Sequence, residues 1–206
     1  MLKNINVSGN IQSISAGENY AQSNDATMCY EMFKNCKYWT FNGLSLPATN
    51  VMSGFKYHLG VGCYESMFEG CTNLTNIPDG FLPATIVETH VYAGMFKGCT
   101  GLTNIPENLL PGFTNTVNNN NSKSCYRSMF KGCIGLTSIP ENLLPMKDLF
   151  SAWHCYESMF EGCTGLTNIP ENLLPATSLG EFSYYSMFEN CSNIVNSPII
   201  HVPQTY

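Results

Sequence analysis

Residues 64–83 read YESMFEGCTNLTNIPDGFLP, and residues 156–175 read YESMFEGCTGLTNIPENLLP. A chain that says nearly the same thing twice must be read for its period before its local propensities, because internal repetition dictates architecture. The pair Met-Phe recurs at Met32, Met67, Met95, Met129, Met159 and Met187, and three residues after each Phe comes Cys36, Cys71, Cys99, Cys133, Cys163 or Cys191. The spacings between successive pairs are 35, 28, 34, 30 and 28, so the basal unit is 28 residues with variable additions. Leu-Thr-Asn-Ile-Pro or a near copy follows at Leu74–Pro78, Leu102–Pro106, Leu136–Pro140 and Leu166–Pro170, and a closing Leu-Pro ends at Pro83, Pro111, Pro145 and Pro175.

Within one unit, Tyr64, Met67, Phe68 and Cys71 fall at i, i+3, i+4 and i+7. That spacing predicts a helix of about two turns with Glu65 and Glu69 facing water. The glycines before the cysteines, Gly70, Gly98, Gly132 and Gly162, are placed to end it. Leu74 to Ile77 is too short for a helix and is stopped by Pro78, which predicts a brief strand followed by a tight turn or 3₁₀ segment. One such coil cannot shield its own Met, Phe, Leu and Ile side chains, whereas stacked coils close a continuous apolar column. The expected fold class is therefore an α/β repeat, a solenoid with short parallel strands on one face and short helices on the other.

End units of such an array are atypical, since each faces only one neighbour. The first has Trp39 in place of Leu, and the last reads Ile194 to Pro198 before a non-repeating tail. The expected organisation is an N-terminal cap of short strands at 1–27, where Ile5, Val7, Ile11 and Ile14 alternate with polar residues, six units over 28–198, and a tail at 199–206.

On the Met-Phe…Cys…Leu-Thr-Asn-Ile-Pro pattern of residues 28–198, the chain resembles the BspA-like class of leucine-rich repeats, related to the Treponema-type repeats. The resemblance implies a curved right-handed leucine-rich-repeat solenoid with a parallel sheet on one face. It also implies a non-enzymatic role. Members of the class include bacterial surface adhesins and proteins of gut bacteria and their phages, which bind proteins or glycans.

Composition narrows the partners. Charged residues make up 12 % of the chain and the net charge is −6, with nine Lys and Arg that form no cluster. Such a surface has no footprint for a phosphate backbone, so nucleic acid is discounted. No stretch approaches the apolar length of a membrane span, and the N-terminus lacks the apolar run of a secretory signal. The expectation is folding in the cytoplasm, with a final setting on a virion or a bacterial cell surface.

Ten cysteines invite a chemical reading. Cys63/Cys71, Cys125/Cys133 and Cys155/Cys163 share one spacing that suits either a disulfide or a thiolate metal site. Against this, Val91 and Ser183 replace the first cysteine in two units, so the position accepts any small side chain, and a ladder of reduced buried thiols is the simpler account. His58, His90, His154 and His201 show no matched ligand spacing, and no nucleophile motif or phosphate loop occurs. No catalytic residue, metal or cofactor is expected; a thiol- or metal-dependent enzyme is the rival class.

Recognition is expected where units differ or present polar ladders. The candidates are Phe55, Tyr57, Asn119, Phe150 and Trp153 in the unlike connections, and Asn76, Asn104 and Asn168 on the predicted strands. The partner class is a protein or a glycan, or a larger complex into which the chain assembles. A structural or host-recognition part of a phage particle is the alternative setting.

Overall fold

The computed structural model describes residues 9–10, 29–36, 44–46, 61–82, 89–110 and 123–200. Six stretches run side by side in layers: Cys29–Cys36, Gly62–Cys71, His90–Cys99, Ser124–Cys133, His154–Cys163 and Phe182–Cys191.

Each layer is a run of overlapping β-turns. In the second, Glu65, Met67, Glu69 and Cys71 donate their N–H to the carbonyls of Gly62, Tyr64, Ser66 and Phe68, three residues back. The alternate N–H groups, of Gly62, Tyr64, Ser66, Phe68 and Gly70, leave the layer and bond Thr89, Val91, Ala93, Met95 and Lys97 of the next one. The same division holds at every later interface, with layer-to-layer bonds of 2.7–3.1 Å. From the tyrosine to the last cysteine of each interior layer every backbone N–H is thereby used, alternately within the layer and between layers, as burial demands.

This corrects the expected helix: the described residues contain none. Turns that recur every two residues need a left-handed residue at every fourth position, and Gly62, Ser66 and Gly70 have φ of 64°, 54° and 72°. The pattern repeats at His90, Gly94 and Gly98, at Ser124, Ser128 and Gly132, and at His154, Ser158 and Gly162. Burial then follows a four-residue beat, in which Cys63-Tyr64, Met67-Phe68 and Cys71 point inward while Glu65-Ser66 and Glu69-Gly70 are only partly covered. Over eight residues a period of four imitates one of 3.6.

The expected strand at Leu74–Ile77 is likewise absent. Leu74 and Ile77 are buried and Thr75 and Asn76 exposed, and the layers meet here through single bonds such as Thr103 N–H to the Thr75 carbonyl at 3.3 Å. Strands occur elsewhere. β1 (Gly9–Asn10) pairs in parallel with β2 (Leu44–Ser45), and β3 (Asp148–Leu149) with β4 (Ser178–Leu179). Both β3 and β4 lie just after a Leu-Pro, in the connections between units. Of the expected N-terminal cap only β1 is described, and of the tail only Ile199 and Ile200, where Ile199 N–H bonds the Glu171 carbonyl at 3.0 Å.

The core is built from columns. Phe33, Phe68, Phe96, Phe130, Phe160 and Phe188 stack face to face with centroids 5.5–5.8 Å apart. Tyr64, Tyr92, Tyr126, Tyr156 and Tyr184 form a second column at 5.7–5.9 Å. Offset stacks of this kind contribute about 0.5–1.5 kcal/mol each beyond the burial of the rings. The first layer departs from the unit. It is one residue shorter between Tyr and Met, so Cys29 takes the buried place of Tyr64, and Tyr30 is turned out, 47 % exposed.

Candidate functional site

The cysteine ladder comes first, since it carries the enzymatic alternative. None of the ten cysteines is in a disulfide; eight are buried, with Cys36 and Cys191 half-buried. Each second cysteine of a unit donates its S–H to the Phe carbonyl of the preceding layer: Cys71 to Phe33, Cys99 to Phe68, Cys133 to Phe96, Cys163 to Phe130 and Cys191 to Phe160, at 3.0–3.1 Å. That carbonyl already accepts the N–H of its own layer's cysteine, so the thiol fills its second lone pair. Burial pushes the Cys71 and Cys163 thiols up to about 12, and Cys99, Cys133 and Cys155 are raised for the same reason. A reactive cysteine requires the opposite, an accessible and stabilised thiolate. Cys29 is lowered, by a hydrogen bond from Cys63.

Several outward charges of the layers pair with one another. Lys34 contacts Glu31 and Glu69, Lys97 contacts Glu69, Lys131 contacts Glu161 and Arg127 contacts Glu157. Burial opposes ionisation of Glu69, yet hydrogen bonds from Ser66, Lys97 and Lys34 hold its carboxyl below the usual range; Lys131 does the same for Glu161. Among the described residues no three His, Cys, Asp or Glu side chains converge as metal ligands.

One surface differs from this self-contained pattern. In the connection before the fifth layer, β3 fixes Leu149 inward with no exposure, and Ala152 is buried, which leaves Phe150 70 % and Trp153 41 % exposed on the outside. The Phe150 N–H is held by Asp148, whose carboxyl is kept below its ordinary value by that bond and by one from Ser178. With Ser151, Leu179, Gly180 and Glu181 the two rings line a shallow hollow of about 290 Å³. The ammonium of Lys123 lies 4.3 Å from the centre of the Trp153 ring, a cation–π contact that fixes the indole from the fourth layer.

The rings continue onto the sixth layer. His154 stacks on Phe182 with centroids 4.9 Å apart and bonds Glu157 through Nδ1, and Phe182 meets Tyr185 edge to face at 5.4 Å. Phe182 is 44 % and Tyr185 59 % exposed. Neither was singled out in the sequence, although both stand where other units carry non-aromatic or smaller residues: Phe182 replaces Gly62, His90, Ser124 and His154, and Tyr185 replaces Glu65, Ala93, Arg127 and Glu157. A change of residue type at a fixed repeat position was the available signal.

The other candidates are placed as follows. Asn76, Asn104 and Asn168 are exposed. Their counterpart in the last layer, Asn196, turns its amide back onto the fifth, accepting from Ile169 N–H at 2.8 Å and donating to the Ile169 carbonyl at 2.6 Å. It stands in for a peptide group of an adjoining layer. Phe55, Tyr57 and Asn119 lie outside the described residues, as do His58 and His201. Among the described residues no helix is long and apolar enough to cross a membrane. No family model, curated protein or solved structure matches the chain.

Proposed function

We propose that the chain is a non-enzymatic binding scaffold, a leucine-rich-repeat solenoid of the BspA-like kind, that recognises a protein or glycan through the aromatic surface formed by Phe150, Trp153, Phe182 and Tyr185. The observation that carries the reading is the exposure of four rings between Phe150 and Tyr185, while the Phe and Tyr columns of the interior layers are closed among the described residues. Exposed apolar rings beside polar groups mark recognition surfaces. Flat rings next to the Ser151 hydroxyl and the Glu181 carboxylate suit the apolar faces and hydroxyl edges of a sugar, or an apolar peptide segment.

The family reading is supported by the six Met-Phe…Cys units of the sequence. The assignment to a non-catalytic role is supported by thiols raised in pKa and engaged with Phe carbonyls, and by carboxylates held in ion pairs.

The test replaces Phe150 and Trp153 together by Ala. Both side chains point outward, so thermal unfolding should move little, while retention on arrayed oligosaccharides and capture of proteins from the native host should fall at least about tenfold, the scale of losing a well-packed aromatic contact. Equal retention by the two proteins, or a collapse of stability in the variant, would sink the proposal.

A further inference from the structure

The hollow beside Phe150 and Trp153 has a narrower chemistry than the flank around it. Of the residues that line it, Phe150, Trp153 and Leu179 are apolar, Gly180 has no side chain, and only Ser151 and Glu181 are polar. Gly180 lets the backbone and the indole meet there, since a Cβ would lie 2.6 Å from the Leu149 carbonyl oxygen and 2.8 Å from Cδ1 of Trp153. At about 290 Å³ the space falls just short of the roughly 300–1,000 Å³ of pockets that enclose drug-sized ligands, so it admits one small group and not a run of sugar or peptide.

Electrostatics selects the sign of that group. The Glu181 carboxylate is exposed and takes part in no ion pair among the described residues. Aromatic faces carry the negative part of the ring quadrupole, and the indole already attracts a cation, the Lys123 ammonium, which does not line the hollow. The lining therefore calls for a positive charge. Hydrogen-bond arithmetic selects its kind. A primary ammonium brings three N–H donors and a guanidinium five, against one carboxylate and one hydroxyl among the lining side chains. Donors turned toward the rings would lose water and gain nothing. A trimethylammonium group brings no donor and clothes its charge in methyl groups.

We infer that the hollow holds a trimethylammonium group of the choline type, its methyls against Phe150 and Trp153 and its charge facing Glu181. This rests on the reading of the flank as a recognition surface and names the group of the partner that is grasped, while the wider surface out to Tyr185 meets the rest. Choline reaches such a site either as the free alcohol or through its phosphate ester.

The experiment is saturation-transfer NMR on the 206-residue chain with choline, phosphocholine and the neutral tert-butyl analogue of choline, in which carbon replaces nitrogen. Choline should bind about tenfold more tightly than the neutral analogue, the joint scale of an exposed cation–π contact and an exposed ion pair. Glu181→Gln, an exposed and nearly isosteric change that leaves thermal unfolding in place, should weaken choline about threefold, the ion-pair share of that margin, and leave the analogue unmoved. Tighter binding of phosphocholine than of choline assigns the ester as the source, and weaker binding the free alcohol. Equal binding of choline and its analogue, no binding of choline, or indifference to Glu181→Gln overturns the inference. Partner retention that is lost with the Phe150 and Trp153 rings yet undisturbed by excess choline would overturn the choline assignment and leave the recognition surface standing; retention that survives loss of the rings overturns both.

Discussion

The fourth and sixth layers are close to the same peptide, CYRSMFKGC at 125–133 and SYYSMFENC at 183–191. In the fourth, Tyr126, Phe130 and Cys133 have no exposure at all; in the sixth, Tyr184, Phe188 and Cys191 are half-buried. The peptide does not determine its own burial. Neighbours on both sides make an interior layer dry, and a neighbour on one side leaves the same side chains half wet, which is the energetics of a one-dimensional array.

The contrast is broken most severely by removing a ring. Phe130→Ala should cost about 3–5 kcal/mol in urea unfolding, the usual loss for a buried aromatic, because it opens two stacking interfaces at once. Phe188→Ala opens one and should cost about half as much. Equal losses would mean that the layers do not share their core.

A smaller effect tests how closely the layers approach. A methyl group on Gly165 would lie 2.4 Å from the Ile134 carbonyl oxygen and 2.5 Å from that of Leu136. Gly165→Ala should therefore destabilise by about 2 kcal/mol through forced separation of the backbones. The sixth layer carries Asn193 at this position and turns its amide onto the Thr164 carbonyl at 2.8 Å. Asn193→Ala should cost about 1 kcal/mol or less, one ordinary hydrogen bond. A thermal scan that finds Gly165→Ala neutral would refute the close approach.

The mildest probe is alkali. The interior thiols keep their protons in the folded state to about pH 12, whereas in the unfolded chain they ionise near about 8.5. Between those values the unfolded state holds fewer protons, so stability is level up to roughly pH 8 and falls as pH rises through the window. Alkylation at pH 8 should reach Cys36 and Cys191, the two half-buried thiols, before the others. Uniform labelling of all ten would contradict the difference between interior and end layers.

What could be read from the sequence was register, and what could not was conformation. Aligning Met67 with Met95, Met129 and Met159 also aligns Phe68, Phe96, Phe130 and Phe160, whose rings lie 5.6–5.8 Å apart in one column. The backbone between them was misread because Tyr64, Met67, Phe68 and Cys71 satisfy a helical spacing as well as a four-residue turn spacing. The deciding residues were the small ones, Gly62, Ser66 and Gly70, which recur every four positions where φ must be positive. At the surface, Phe150 and Trp153 were visible because their segment breaks the repeat in length. Phe182 and Tyr185 were not, because they break it only in kind. Tyr30 lies outside because one residue fewer separates it from Met32 than separates Tyr64 from Met67.

Each interior layer turns the same row of carbonyls to one neighbour and the same row of N–H groups to the other. Excising one whole unit would bring together two faces that already match, and duplicating one would create a junction identical to those present. Length is thus a quantity that gene duplication can adjust in steps of one layer without redesigning any contact, and selection can act on the reach of the molecule independently of how it holds together.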